Sequence, residues 1–211
     1  MYERQVADIY KICNVRTFPV DCFMIMSKLG FSVEPYSKLI TENPELSFLR
    51  NNATDALTIV KKRQVLYNDR KPRRRIRFTL MHELGHVIGN TNNEELADRF
   101  AAEILAPVCI VRELGLRTAD EISVHFDVSI ACANNVIMQV RNDLPSPFES
   151  SLVNYFMEVC QKPSERLYMR QDGKYRRFEA NDRKLRMNHT DEEYWNIVLD
   201  RLENERLNKD Y

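Results

Sequence analysis

No stretch of this chain approaches the roughly 18 consecutive apolar residues of a membrane-spanning helix, and no apolar core follows a basic start at the N-terminus. A cytoplasmic protein is expected. Net charge is missing too: Lys+Arg and Asp+Glu both number 31, so the formal charge is +0 and no global field draws the chain to nucleic acid or an anionic membrane. Nor is there a Cys-x-x-Cys pair. Cys13, Cys22, Cys109, Cys132 and Cys160 are odd in number and widely spaced, which argues against a disulfide framework and against a cysteine zinc site. They read as small buried hydrophobes in a reducing compartment. Internal repeats and low-complexity tracts are absent as well. At 211 residues, 44% hydrophobic and 29% charged, the chain has the composition of a globular protein with one good core plus an appendage.

What the chain does carry is the run Arg77-Phe-Thr-Leu-Met-His-Glu-Leu-Gly-His-Val-Ile-Gly89, in which His82, Glu83 and His86 spell His-Glu-x-x-His. Ile76, Leu80, Leu84 and Val87 or Ile88 recur at three- and four-residue steps, so the segment reads as a helix with an apolar stripe, ended by Gly89-Asn90. Residues four apart share a helical face, which lets both imidazoles reach one tetrahedral Zn²⁺ at about 2.0–2.1 Å. Glu83 projects beside that face, where it can act as general base on a water in the open metal position. The bare pattern arises by chance in on the order of one chain in a hundred of this length, so its surroundings must decide.

Those surroundings are a second helical stretch from Glu94 to Leu105, with a stripe at Ala97, Phe100, Ala101, Ile104 and Leu105 and a proline, Pro107, just beyond. Only the polar turn Asn90 to Asn93 separates the two, so they form an antiparallel pair and the first turn of the second can return to the metal. Glu94 is the candidate third ligand. Asp98, four residues on, can accept the Nδ1 proton of a ligand histidine. Glu95 is the rival, about a hundred degrees around the helix; the bland alternative is a pair of acids favoured by the helix dipole.

Taken together, Arg-Phe-Thr-Leu-Met-His-Glu-Leu-Gly-His followed by Glu-x-x-Ala-Asp-x-Phe-Ala-Ala-x-x-Leu-Ala-Pro resembles the ImmA/IrrE family of metallo-endopeptidases, over roughly Pro19 to Arg141. The resemblance implies a cytoplasmic protease that relieves repression by cleaving a helix-turn-helix repressor, in mobile elements or stress responses. It implies one Zn²⁺ per chain, with His82, His86 and Glu94 as ligands and Glu83 as the catalytic glutamate. The fold class expected is α+β: a mostly helical zincin-like metalloprotease core with a small β-sheet, a helix-turn-helix-like segment, and an α/β C-terminal appendage. Two other classes stay open. One is a regulatory protein with a zinc-stabilised fold that displaces a repressor without cutting it; the other is a DNA-binding regulator.

Upstream of the metal helix, Val6, Ile9 and Tyr10 have helical spacing, Pro19-Val-Asp opens a helix stopped at Gly30, and Phe31 to Tyr36 alternates as a strand would. Ala56 to Val60 and Val65 to Asn68 are β-prone runs joined by Lys61 to Gln64, a hairpin whose exposed edge can take an extended peptide over the zinc. Leu66 and Tyr67 are the substrate-binding candidates there. Between Lys61 and Arg77, nine basic residues face the lone acid Asp69. This bias reads as a docking patch or, more simply, as a solvated turn and helix start, since Pro72 marks a loop and no aromatic residues interleave.

Downstream, Val108 to Leu114 reads as a short helix, Thr118-Ala-Asp-Glu121 is a capping box opening another, and Ser129 caps a third through Val140. Segment 118–141 thus has a helix-turn-helix shape, yet it lacks basic residues before Arg141, and a packing role is preferred over DNA binding. His125, beside the turn, is either an ordinary histidine or a donor to the developing oxyanion. The expected boundaries are a peptidase-like domain over 1–143, a linker at 144–147 and an interaction or regulatory appendage over 148–211. That appendage reads as a helix from Phe148, a hairpin turning at Asp172-Gly173, and a helix opened by Thr190 with Trp195 on its apolar face.

Overall fold

The computed structural model describes residues 2–48, 55–142, 149–160, 167–169 and 175–177. Their contacts divide into two compact units, one holding Cys22 to Ala101, the other the residues up to Asp21 together with those from Ala102 on.

In the unit from Cys22 to Ala101, helix α1 (Cys22–Lys28) buries Cys22, Ile25 and Met26 and stops at Gly30, whose φ of +82° suits a residue without a Cβ. Strand β1 (Ser32–Pro35), helix α2 (Tyr36–Glu42) and a single tight helical turn, Pro44–Phe48, follow. The predicted hairpin is present: β2 (Ala56–Ile59) runs antiparallel to β3 (Gln64–Tyr67), with Thr58 opposite Val65 and Leu57 opposite Leu66. The bend between them, Val60–Lys62, closes on Arg63 in the left-handed region. It is not an isolated hairpin, however. β1 pairs in parallel with β3 on the other side, giving the order β1-β3-β2 and making β3 the central strand.

A central strand is covered on both faces, and β3 shows this in consecutive residues: Val65 is fully buried and Leu66 is 5% exposed. Leu66 packs with Tyr36 and Ile40, and Leu39, Leu46 and Ile59 close that cluster. Thr58, which shares the Val65 face, reaches the long helix α3 (Arg73–Gly89) on the opposite side of the sheet. α3 buries Leu80, Leu84 and Val87 of the predicted stripe, with Met81 beside them and Ile76 only half-buried, and ends on Asn90 in the left-handed conformation. Helix α4 (Glu94–Leu105) follows after the turn, started by Asn93, whose Oδ1 accepts from the Leu96 amide; residues 94–101 belong to this unit.

Among its described residues, the other unit is helical apart from one strand pair. α5 lies at Glu3–Ile12, ahead of the elements above in the chain, and α6 (Val108–Glu113), α7 (Ala119–Phe126), α8 (Ile130–Asn142) and α9 (Glu149–Tyr155) come after them. The capping box at Thr118 and Glu121 is formed in both directions, and Ser129 Oγ accepts from the Cys132 amide. α8 buries Cys132, Ala133, Val136 and Ile137.

α9 was expected to begin a separate appendage. It packs on α5 instead: the Tyr155 hydroxyl lies 2.9 Å from the Tyr10 carbonyl and 3.0 Å from that of Val15, and Phe156 meets the Phe18 ring at 5.5 Å. Leu152 and Tyr155 of this helix and Phe156 just beyond it are buried, so the segment completes the core of its unit. The short strands β4 (Leu167–Met169) and β5 (Tyr175–Arg177) pair antiparallel, and the turn expected at Asp172-Gly173 lies outside the described residues. The linker 144–147, the helix from Thr190 and His189 lie outside the described residues.

Cys13, Cys22, Cys109 and Cys132 are buried and in no disulfide. Among the described residues no helix is long and apolar enough to cross a membrane.

Candidate metal centre

His82 and His86 lie one turn apart on α3, and the turn to α4 brings Glu94 back to them. His82 Nε2 is 3.1 Å from Glu94 Oε2, His86 Nε2 is 3.5 Å from Glu94 Oε1, and the two Nε2 atoms are 3.0 Å apart. One ligand atom from each of the three residues lies within 4.8 Å of the others, an arrangement that could hold a metal ion. Glu95 does not belong to this cluster.

The donor set can be tested against an ion. His82 Nδ1 is 2.7 Å from Asp98 Oδ1 and His86 Nδ1 is 2.8 Å from the Thr91 carbonyl oxygen. Both partners only accept, so each Nδ1 carries the proton, and a neutral ring then presents Nε2 as a lone pair. With both rings neutral, two lone pairs and a carboxylate face one another at these distances and repel. A cation among them turns the repulsion into ligation. The edges of a tetrahedron with bonds of about 2.0–2.1 Å are about 3.3 Å, close to the three separations observed. Two imidazoles and a carboxylate therefore fit a divalent ion, and the bonds at both Nδ1 atoms hold the rings in the orientation this requires.

Glu94 is 76% exposed and the imidazoles 16% and 13%, so the cluster opens on one side. It opens into a cavity of about 500 Å³. Glu83 lines this cavity beside the histidines, and its Oε2 accepts from the Thr58 hydroxyl at 2.5 Å. The α3 wall continues toward the helix start through Phe78 and Arg75, four and seven residues before His82. At that end Asp55 joins the lining, with Arg75 Nε at 2.5 Å and Lys71 Nζ at 2.8 Å from its two oxygens. Burial pushes the Asp55 carboxyl up, but the hydrogen bonds and positive charges of Lys71 and Arg75 outweigh it and hold the group below its ordinary range.

Close approach of α4 to α3 depends on Gly85. A Cβ there would stand 3.1 Å from the Ala97 Cα, 3.1 Å from the Ala97 carbonyl oxygen and 3.1 Å from a carbon of the Phe100 ring. The small residue inside His-Glu-Leu-Gly-His thus sets how near Glu94 and Asp98 come to the histidines.

The two substrate-binding candidates are not in the cavity wall. Leu66 is turned into the cluster with Tyr36 and Ile40, because strand side chains alternate and its neighbour Val65 takes the α3 face. Tyr67 sits at the strand end with its ring 5.6 Å from Phe23. The strand that flanks the cavity is β2, which lines it through Ala56 and reaches the lining residue Glu83 through the Thr58 hydroxyl. His125 does not line the cavity either; its ring packs 4.7 Å from Phe126 and 6.3 Å from Phe18. Thr58, Thr91 and Asp55 escaped the sequence reading, and Arg75 entered it only as one of the nine basic residues between Lys61 and Arg77, not as part of the site. For Arg75 a signal existed, since stepping back from His82 by four and seven residues along the helix lands on Phe78 and Arg75.

A mostly helical fold with a small sheet, and paired histidines and a glutamate around an open cavity, define a metallopeptidase-type domain. Residues 37–137 match the family model of the IrrE N-terminal-like domain, Peptidase_M78, which is consistent with the resemblance to ImmA/IrrE proteins. No curated protein matches the chain at a significant level.

Proposed function

We propose that this protein is a soluble, cytoplasmic, zinc-dependent endopeptidase that cleaves a helix-turn-helix repressor or a similar regulatory protein. The reading rests on one observation above all: the His82, His86 and Glu94 donors converge at the mouth of a cavity that Glu83 also lines. In this reading His82, His86 and Glu94 hold one zinc ion. When bound, the ion supplies Lewis acidity, polarising a peptide carbonyl and acidifying water.

Glu83 removes the proton of the attacking water and returns it to the leaving amine. Thr58 anchors one oxygen of that carboxylate, leaving the other for proton transfer. Asp98 and the Thr91 carbonyl keep the imidazoles in the tautomer that presents Nε2. β2 is an edge strand among the described residues and borders the cavity, which supports entry of an extended peptide by strand addition.

The test is co-expression with candidate transcriptional regulators, read by mass spectrometry for new termini. Native protein should carry about one zinc per chain and generate such termini; Glu83→Gln should keep the zinc and generate none. An intact regulator held in a complex, with Glu83→Gln as effective as the native chain in relieving repression, would assign the protein to non-cleaving regulators instead.

A further inference from the structure

We propose that Arg75 is a specificity residue: its guanidinium receives an acidic side chain of the substrate about three residues from the bond that is cut. The inference deepens the peptidase reading and rests on it for the location of the cut. Arg75 and His82 lie on one wall of the same cavity. Seven helical residues separate them, which is about 10 Å along the axis. An extended peptide advances about 3.3 Å per residue, so a group meeting Arg75 sits about three residues from one meeting the histidines.

The guanidinium is prepared for a carboxylate. Asp55 takes its Nε, which fixes the plane of the fork and leaves the edge made by the two terminal nitrogens, the edge that binds carboxylates in a bidentate manner. Arg75 is 57% exposed, whereas Asp55 is 19% exposed and its other oxygen is occupied by Lys71. One carboxylate against two cations leaves this end of the cavity with a surplus positive charge. The opposite end carries Glu83, Glu94 and Asp98. A substrate acid is thereby attracted to the Arg75 end, which fixes its register on the histidines.

Zinc-loaded native chain is incubated with a proteome-derived peptide library, and the residues flanking each cut are read by mass spectrometry. Asp and Glu should be enriched about tenfold, the scale of one charged hydrogen bond, at one position two to four residues from the cut. Arg75→Ala should erase that enrichment, Arg75→Lys should keep part of it, and Arg75→Glu should replace it with Lys and Arg. Equal acidic and neutral flanks for the native chain, or an unchanged profile in Arg75→Ala, overturns the proposal. So does a preference confined to peptides whose last residue falls at that position, since the terminal carboxylate is then the group bound.

A binding measurement removes the dependence on turnover. End-capped, fluorescein-labelled alanine-based peptides with a single Glu or Gln are titrated into Glu83→Gln protein and followed by anisotropy. Tighter binding of the Glu peptide, lost in the Glu83→Gln/Arg75→Ala double variant, supports the site even where no library peptide is cut, an outcome that would sink the peptidase reading alone. Cutting without acidic preference sinks the Arg75 assignment alone.

Discussion

The Thr58 hydroxyl donates to Glu83 Oε2 across 2.5 Å, joining an edge strand to a helix residue 25 positions later in the chain. The contact restrains the carboxylate in the cavity wall, where proton transfer demands a fixed position.

Thr58→Val removes this donor while keeping the β-branched shape. It should lower kcat by about ten- to a hundredfold, the scale of a lost hydrogen bond to a charged group, with zinc content unchanged. Thr58→Ser should recover most of the loss. Steady-state kinetics beside metal analysis checks the pattern; a Thr58→Val protein with native kcat would show the contact to be idle.

Asp98 holds the His82 ring at 2.7 Å without belonging to the three-residue cluster. Asp98→Ala should weaken zinc binding by about ten- to a hundredfold, as loss of a carboxylate behind a ligand histidine does. Glu94→Ala should weaken it further, and Glu95→Ala should leave it unaltered. Competition with a chromogenic chelator ranks the three, and a reversed order of Glu94 and Glu95 would reassign the third ligand.

Gly85 can take no Cβ without displacing α4. Two of the three atoms it would meet are Ala97 backbone, so the helix must move by a few tenths of an ångström. Gly85→Ala should cost about 1–3 kcal/mol of stability, as overpacking does, despite the better helix propensity of alanine. Gly85→Val should cost more and weaken zinc binding by shifting Glu94. Thermal melts with and without zinc read both effects; a Gly85→Ala protein more stable than native would show that α4 yields freely.

Asp55 supplies a pH dependence of known sign. Lys71 and Arg75 hold its carboxyl below the ordinary value, so its pKa is lower folded than unfolded. Its contribution is complete above the unfolded value of about 3.9 and is lost as pH falls through the folded one. With the cations 41% and 57% exposed the pair is worth about 1 kcal/mol or less. Urea titrations at pH 7 and in the acid range below about 4 should show Asp55→Asn less stable than native at the higher pH, with the gap narrowing at the lower.

Much of this was legible in the one-dimensional pattern, because the relevant contacts are local. His82, Glu83 and His86 share a helical face by spacing alone, and the four-residue turn from Asn90 forces Glu94 and Asp98 back toward them. The capping box at Thr118 and the hairpin over 56–67 are equally short-range, and chain chemistry names them without reference to the rest of the molecule.

Folding in three dimensions supplied what no spacing encodes. Parallel pairing of β1 with β3 turned the presumed edge strand into a central one, and side-chain alternation then sent Leu66 to the far face and Thr58 to Glu83. Packing of α9 on α5, across 145 residues from Tyr155 to Tyr10, moved a presumed appendage into a core. Local periodicity says which face of an element is apolar. Which partner covers that face depends on the closure of long loops, and there the free energy belongs to the assembled fold rather than to any segment of it.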